Sequence, residues 1–151
     1  MSGVQIEMTL QGIEASEAAI GRLASADLDD LAYNVGALLE SSTQERIASE
    51  KAAPDGTPWA AWSDATAASR HGGQSLLVQG NYLLTSVQNY TEGWTVRIGS
   101  NLVYAAIHQE GGKAGRGRKV TIPARPYLGL SDADRTAVEA LVADTLSGVL
   151  Q

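Results

Sequence analysis

The sequence predicts an α+β fold in which a small antiparallel sheet packs against two main helices. Val4, Ile6 and Met8 alternate with polar residues, which is the period of a half-buried strand. Two longer stretches, one before residue 52 and one after residue 130, instead place apolar residues every three or four positions, as amphipathic helices do. Since 151 residues without an internal repeat suffice for one hydrophobic core, we predict a single domain over residues 1–151.

The first main helix is predicted to begin at Asp27 and to end near Lys51, after a short helix between Ser16 and Ala24. Acidic residues cluster in its first turn, where the helix dipole favours negative charge. Turn-forming residues at 53–58 end it. Its apolar positions are Leu28, Leu31, Val35, Leu38, Leu39 and Ile47.

The middle of the chain is predicted to hold short elements. Ser63 is a favourable residue for capping a helical turn, and Gly93 belongs to a short loop that can join two strands. The expected elements are a helical turn over residues 63–70, a short helix over 76–87, hairpin arms at 86–90 and 94–99, and a strand over 119–122. On the second arm, Trp94, Val96 and Ile98 are expected to face the core.

The last main helix carries its own start signal, because Ser131 is followed three residues later by Asp134, a pattern that resembles a capping box. Pro123 and Pro126 stiffen the chain just before it, so that Tyr127 arrives at a fixed angle. The apolar stripe of the helix consists of Val138, Leu141, Val142, Leu146 and Val149.

Residues 111–118 are predicted to form a long, flexible, glycine-rich basic loop. Four of these eight residues are glycines, and fixing such a backbone costs about 1–2 kcal/mol per residue. Like charges repel one another along the same stretch. Its cations, which we predict to be partner-docking residues, are Lys113, Arg116, Arg118 and Lys119.

The charge of the chain is strongly polarised. The net charge of −6 divides into −8 over residues 1–69, +5 over 70–130 and −3 over 131–151. Such a chain can associate head to tail, with a positive patch of one copy against a negative patch of the next. The absence of cysteine excludes disulfides, thiolate metal sites and cysteine nucleophiles. Without a long apolar run or a signal-peptide pattern, we expect no membrane association.

Few residues offer chemistry. His108 could be a general base oriented by Glu110, but two residues so placed on a helix point apart and would not form a dyad. A role for His108 in fixing a turn by hydrogen bonds to the backbone is the better interpretation. The glycine-rich loop lacks the G-K-[ST] ending of a phosphate cradle. Its few cations favour at most non-specific proximity to DNA. We therefore predict no catalytic, cofactor-binding or metal residue, and we interpret Trp59, His108, Pro123 and Pro126 as scaffold residues.

Four segments together resemble the phage virion morphogenesis (tail completion) family of tailed bacteriophages. They are PDGTPWAAWSDAT at 54–66, LLVQGNYLLTSV at 76–87, VRIGSNLVYAAIHQEGG at 96–112 and IPARPYLGLSDAD at 122–134. They cover roughly half the chain, in the order and spacing of that family. Similar proteins are small α+β subunits that form rings, most often hexamers.

The resemblance implies a non-enzymatic structural protein of the virion neck, which completes or terminates the tail and lets it join the head. Its expected partners are further copies of itself, the tail tube protein and the head–tail connector proteins. Its expected location is the virion, with assembly in the host cytoplasm. Two alternatives stay open: a small hydrolase or nuclease centred on His108 and the basic loop, and a monomeric protein-binding adaptor.

Overall fold

The computed structural model describes residues 3–9 and 25–149, so the short helix expected between Ser16 and Ala24 lies outside the described residues. The elements are β1 (Val4–Thr9), α1 (Ser25–Glu45), a π-helical turn (Arg46–Glu50), α2 (Asp64–Ser69), α3 (Tyr82–Ser86), β2 (Gln88–Glu92), β3 (Thr95–Ser100), α4 (Ala105–Glu110), β4 (Gly112–Ala114), a 3-10 turn (Arg116–Arg118), β5 (Val120–Ile122) and α5 (Asp132–Val149). This confirms the predicted α+β class.

The main sheet has the order β1-β3-β2, with both pairings antiparallel. Val96 and Ile98 on the central strand are buried, as predicted, because the strand alternates its faces. The other face is charged: Arg97 forms ion pairs with Glu7 at 2.7 Å and with Glu92 at 3.3 Å. Only one face of this sheet is therefore suited to packing against a helix.

Helix α1 covers that apolar face with Leu31, Val35 and Leu39. The helix also covers the outer edge of β2, since the Glu40 carboxylate accepts from the backbone N–H of Asn89 at 2.8 Å and from its side-chain amide at 2.6 Å. Helix α5 packs mainly on α1 rather than on the sheet. The expectation that both main helices lie on the sheet is thus right only for the first, because the second face of the sheet is polar.

The helix expected over residues 76–87 is shorter than predicted. Only Tyr82–Ser86 is helical. Leu77, Gly80 and Asn81 have φ angles of 60°, 70° and 61°, which a right-handed helix does not allow. Leu76 and Leu77 lie in the turn that precedes this short helix, whereas Leu83 and Leu84 lie within it.

The segment predicted as a long loop is a β-hairpin, and we correct its description accordingly. Strand β4 pairs with β5 from Gly112 opposite Ile122 to Ala114 opposite Val120. Gly115 and Gly117, which suggested disorder, supply the positive φ angles of the tight connection, at 77° and 70°. The flexibility of the segment stays a prediction.

No helix within the described ranges, 3–9 and 25–149, is long and apolar enough to cross a membrane.

Candidate functional site

An open groove of about 1040 Å³ lies on the described surface. Its lining includes Trp62 and Arg70 from the segment around α2, together with the residues of strand β5 of the hairpin. Tyr82 and Tyr104 stand at its rim, where they are 68% and 38% exposed. Exposed aromatic side chains around a concavity are typical of a binding surface.

The groove is electropositive. Its ionisable nitrogen groups belong to Arg70, His71, His108 and Arg125, and none of its described lining residues is an aspartate or glutamate. The Arg70 guanidinium lies 4.7 Å from the centroid of the Trp62 ring, a cation–π contact that holds the charge at the rim. A partner that fills the groove should therefore bring negative charge.

The basic hairpin continues this surface. Its four cations are exposed, and within the described residues none of them forms an ion pair. Among the described residues, the Lys113 ammonium donates to the Thr121 hydroxyl at 2.7 Å. Val120 is 52% exposed and lines the groove, so hairpin and groove share one face. These four cations are the residues that the sequence predicted to dock a partner: Lys113, Arg116, Arg118 and Lys119.

His108 lies in α4 and lines the groove, with its ring edge-on to Tyr104 at 5.9 Å between centroids. The sequence suggested that the His108 ring fixes the turn by hydrogen bonds, and the ring forms no such bond among the described residues. The Nδ1 atom is buried without a partner in the described part of the chain, while the backbone carbonyl accepts from Arg125 N–H at 2.8 Å. Glu110 is exposed and does not pair with the ring, so the two residues form no acid–base dyad.

Gln109, which the sequence analysis missed, has the anchoring role that we gave to His108. Its amide oxygen accepts from the backbone N–H groups of Tyr127 and Leu128, both at 3.0 Å. Its amide nitrogen donates to the Leu128 carbonyl at 3.1 Å. A glutamine amide, which both donates and accepts, can replace a neighbouring strand for a buried extended segment.

The segment that contains Pro123 and Pro126 is held from several sides. Trp59, which is buried, donates its indole N–H to the Pro126 carbonyl at 2.7 Å. Arg46 donates to the Tyr127 carbonyl at 2.8 Å, and the Tyr127 hydroxyl donates to the Ala105 carbonyl at 2.8 Å. Burial raises the pKa of Tyr127. Because buried backbone groups need partners, these side chains allow an irregular segment to lie in the core.

A buried ion pair, which the sequence did not indicate, joins the π-helical turn after α1 to helix α5. Arg46 Nη2 lies 2.9 Å from Asp134 Oδ2, and both side chains are almost fully buried. Ser42 donates to the other oxygen of Asp134, and Ser131 forms the predicted capping box with it through two bonds of 3.0 Å. Burial alone would raise the pKa of Asp134, but the hydrogen bonds from Ser42, Ser131 and Arg46 lower it.

Among residues 3–9 and 25–149, no three His, Cys, Asp or Glu side chains are grouped so that they could hold a metal ion.

The chain belongs to the phage virion morphogenesis family, whose model matches residues 5–147. The chain is thus one of the phage proteins that take part in virion assembly. The match confirms the resemblance seen in the four sequence segments.

Two relatives are similar in sequence. The putative capsid assembly protein G of Escherichia phage Mu is 32% identical over 123 residues, which cover 78% of each chain. The Mu-like prophage FluMu G protein 2 of Haemophilus influenzae is 48% identical over 62 residues, 41% of this chain and 45% of that protein. The chain thus matches less than half the length of the second relative. No solved structure matches it.

The lowered pKa of His108 predicts a pH-dependent stability. Burial is the main cause of the shift, and the Arg125 charge adds to it. Because the unfolded state then binds the proton more readily, stability should fall as the pH drops below about 6.5, the usual pKa of histidine. In urea unfolding at pH 7.5 and 5.5, His108→Gln should reduce this loss. His71→Gln, at an exposed position, is the matched control and should keep the wild-type profile. Equal profiles for wild type and His108→Gln would contradict the prediction.

Proposed function

We propose that this protein is a structural component of the phage neck, where it forms a homo-oligomeric ring that completes the tail and lets it join the head. The family supports a role in virion assembly. The proposed place and partners rest on the continuous surface of groove and basic hairpin, whose cations form no ion pair within the described chain. A surface of exposed aromatics and unpaired cations suits docking to acidic protein surfaces.

The proposed partners are copies of this chain in a ring, which we take to be a hexamer, together with the tail tube protein and the head–tail connector proteins. The proposed place of the ring is the neck end of the tail, and it assembles there in the host cytoplasm. The polarised charge of the chain supports such contacts, because complementary charge steers subunits and sets their register.

The geometry gives less support to the hydrolase or nuclease alternative. A general base needs a hydrogen-bond partner or a reachable substrate proton, and His108 Nδ1 is buried without a partner in the described chain. Glu110 is exposed, and no carboxylate lines the groove among the described residues. We therefore propose a non-enzymatic role.

Neutralising the hairpin tests the docking role directly. Changing Lys113, Arg116, Arg118 and Lys119 to glutamine should alter the free energy of unfolding by no more than about 0.5 kcal/mol, since all four are exposed. The yield of infectious particles from mixtures of this protein with otherwise complete tails and heads should fall. Added salt should reduce the yield as the variant does, because the Debye length falls from about 10 Å at 0.1 M to about 3 Å at 1 M ionic strength.

The matched control for that variant retains the charge: Lys113→Arg combined with Lys119→Arg should give particles at the wild-type yield. Equal yields from the glutamine variant and the wild type, at low and at high salt, would show that the hairpin does not dock.

A further inference from the structure

We propose that the groove receives the exposed face of helix α5 from a second copy of this chain, so that subunits join head to tail. This inference rests on the proposed homo-oligomer and names the two surfaces that form its interface.

The charge of the groove favours an acidic occupant. Its rim carries the Arg70 charge, and the four cations of the hairpin lie beside it. Trp62, Tyr82 and Val120 add apolar surface that is partly or largely exposed in the single subunit. An occupant that covers these side chains without a carboxylate would leave the cations unpaired at a desolvated interface, which is costly.

The exposed face of α5 has the complementary character. This helix has 18 residues and is therefore about 27 Å long. Its buried side, around Val138, packs on α1. Its exposed side carries Asp132, Glu139 and Asp144 against the single cation Arg135. Between these charges lie small side chains, which allow a close approach: Ala133, Thr136, Ala140, Ala143 and Ser147.

The two surfaces belong to different parts of the chain, because the groove is built within residues 60–125 and α5 begins at Asp132. Each subunit can therefore offer its groove to one neighbour and its α5 face to another. A contact between two different surfaces is heterologous, and such contacts close into a ring when the rotation between subunits allows it. The net charges of the two regions agree with this pairing: residues 70–130, which contain most of the groove, carry +5, and residues 131–151, which contain α5, carry −3.

Charge reversal on each side tests the pairing by analytical ultracentrifugation over a range of concentrations. Arg70→Glu, or Glu139→Arg with Asp144→Arg, should each raise the concentration at half-assembly at least tenfold. A chain that carries all three changes should recover assembly, because the reversed charges again attract. Tyr82→Ala should weaken assembly through lost apolar contact, since this ring is 68% exposed in the subunit.

Controls separate the possible failures. Asp30→Arg, a reversal at an exposed position on α1, should leave assembly unchanged, and all variants should unfold at the wild-type urea midpoint. A wild-type protein that stays monomeric at every concentration, also with tails present, would overturn the proposed ring itself. A wild-type oligomer that persists in the reversed variants, or reversed variants that the triple change does not rescue, would overturn only the pairing of groove and α5.

Discussion

Asp134→Asn is expected to lower the free energy of unfolding by about 3–5 kcal/mol, because it removes the close counter-charge of the buried Arg46 guanidinium. Among the described residues this leaves only the exposed Glu50, whose carboxylate lies 3.9 Å from Arg46 Nε. The substitution keeps the size of the side chain, so the loss reports the charge rather than a cavity. Urea unfolding at pH 7 measures it. Since Asp134 has a lowered pKa in the folded state, part of the stability of the wild type should disappear as the pH falls below about 4, and the asparagine variant should lack this acid-dependent step.

An apolar replacement of both partners is the control for that prediction. Arg46→Met combined with Asp134→Leu should be considerably more stable than Asp134→Asn, because a buried ion pair can often be replaced by packed apolar side chains. If Asp134→Asn costs less than about 1 kcal/mol, the ion pair is not the junction that the geometry indicates.

Trp59→Ala is expected to cost about 3–5 kcal/mol, since the indole is only 7% exposed and its removal leaves a cavity. It also removes the donor for the Pro126 carbonyl. Trp59→Phe should cost less, about 1–3 kcal/mol, because it retains most of the packing but leaves that half-buried carbonyl without its donor. Equilibrium unfolding followed by circular dichroism gives both values.

Trp62→Ala is the matched control, because this second tryptophan stands at the groove and is only partly buried. It should change stability far less than Trp59→Ala. A change below about 0.5 kcal/mol for Trp59→Ala would mean that the indole does not hold the buried segment.

The regular elements could be predicted because local patterns determine them. The alternation of Val4, Ile6 and Met8 gave β1, and the apolar spacing gave α1 and α5 within a few residues. The capping box of Ser131 and Asp134 was also predicted from its spacing and is confirmed.

The errors arose where backbone conformation overrides composition. Leu77 adopts a positive φ angle, which leucine rarely does, so the apolar pattern gave no sign of a turn there. Asn81 also has a positive φ angle, which asparagine adopts more readily. In the hairpin, glycines are compatible both with a mobile loop and with a tight connection. Only the pairing of Gly112 with Ile122 distinguishes the two.

The buried polar network could not be predicted from the sequence, for a different reason. Arg46 stands between Thr43 and Ile47 on the buried side of the first helix, which signals that it needs a partner. That partner, Asp134, lies 88 positions away in the sequence. Gln109 similarly finds its partners in the proline segment. Such pairings follow from the tertiary fold and not from local spacing.

The location of the protein in assembled particles tests the central claim most directly. Purified virions can be labelled with gold-conjugated antibody against this chain and imaged by electron microscopy. The account predicts a single cluster of label at the junction of head and tail. Label spread over the head shell or along the tail, or particles that lack the protein, would contradict a ring at the neck.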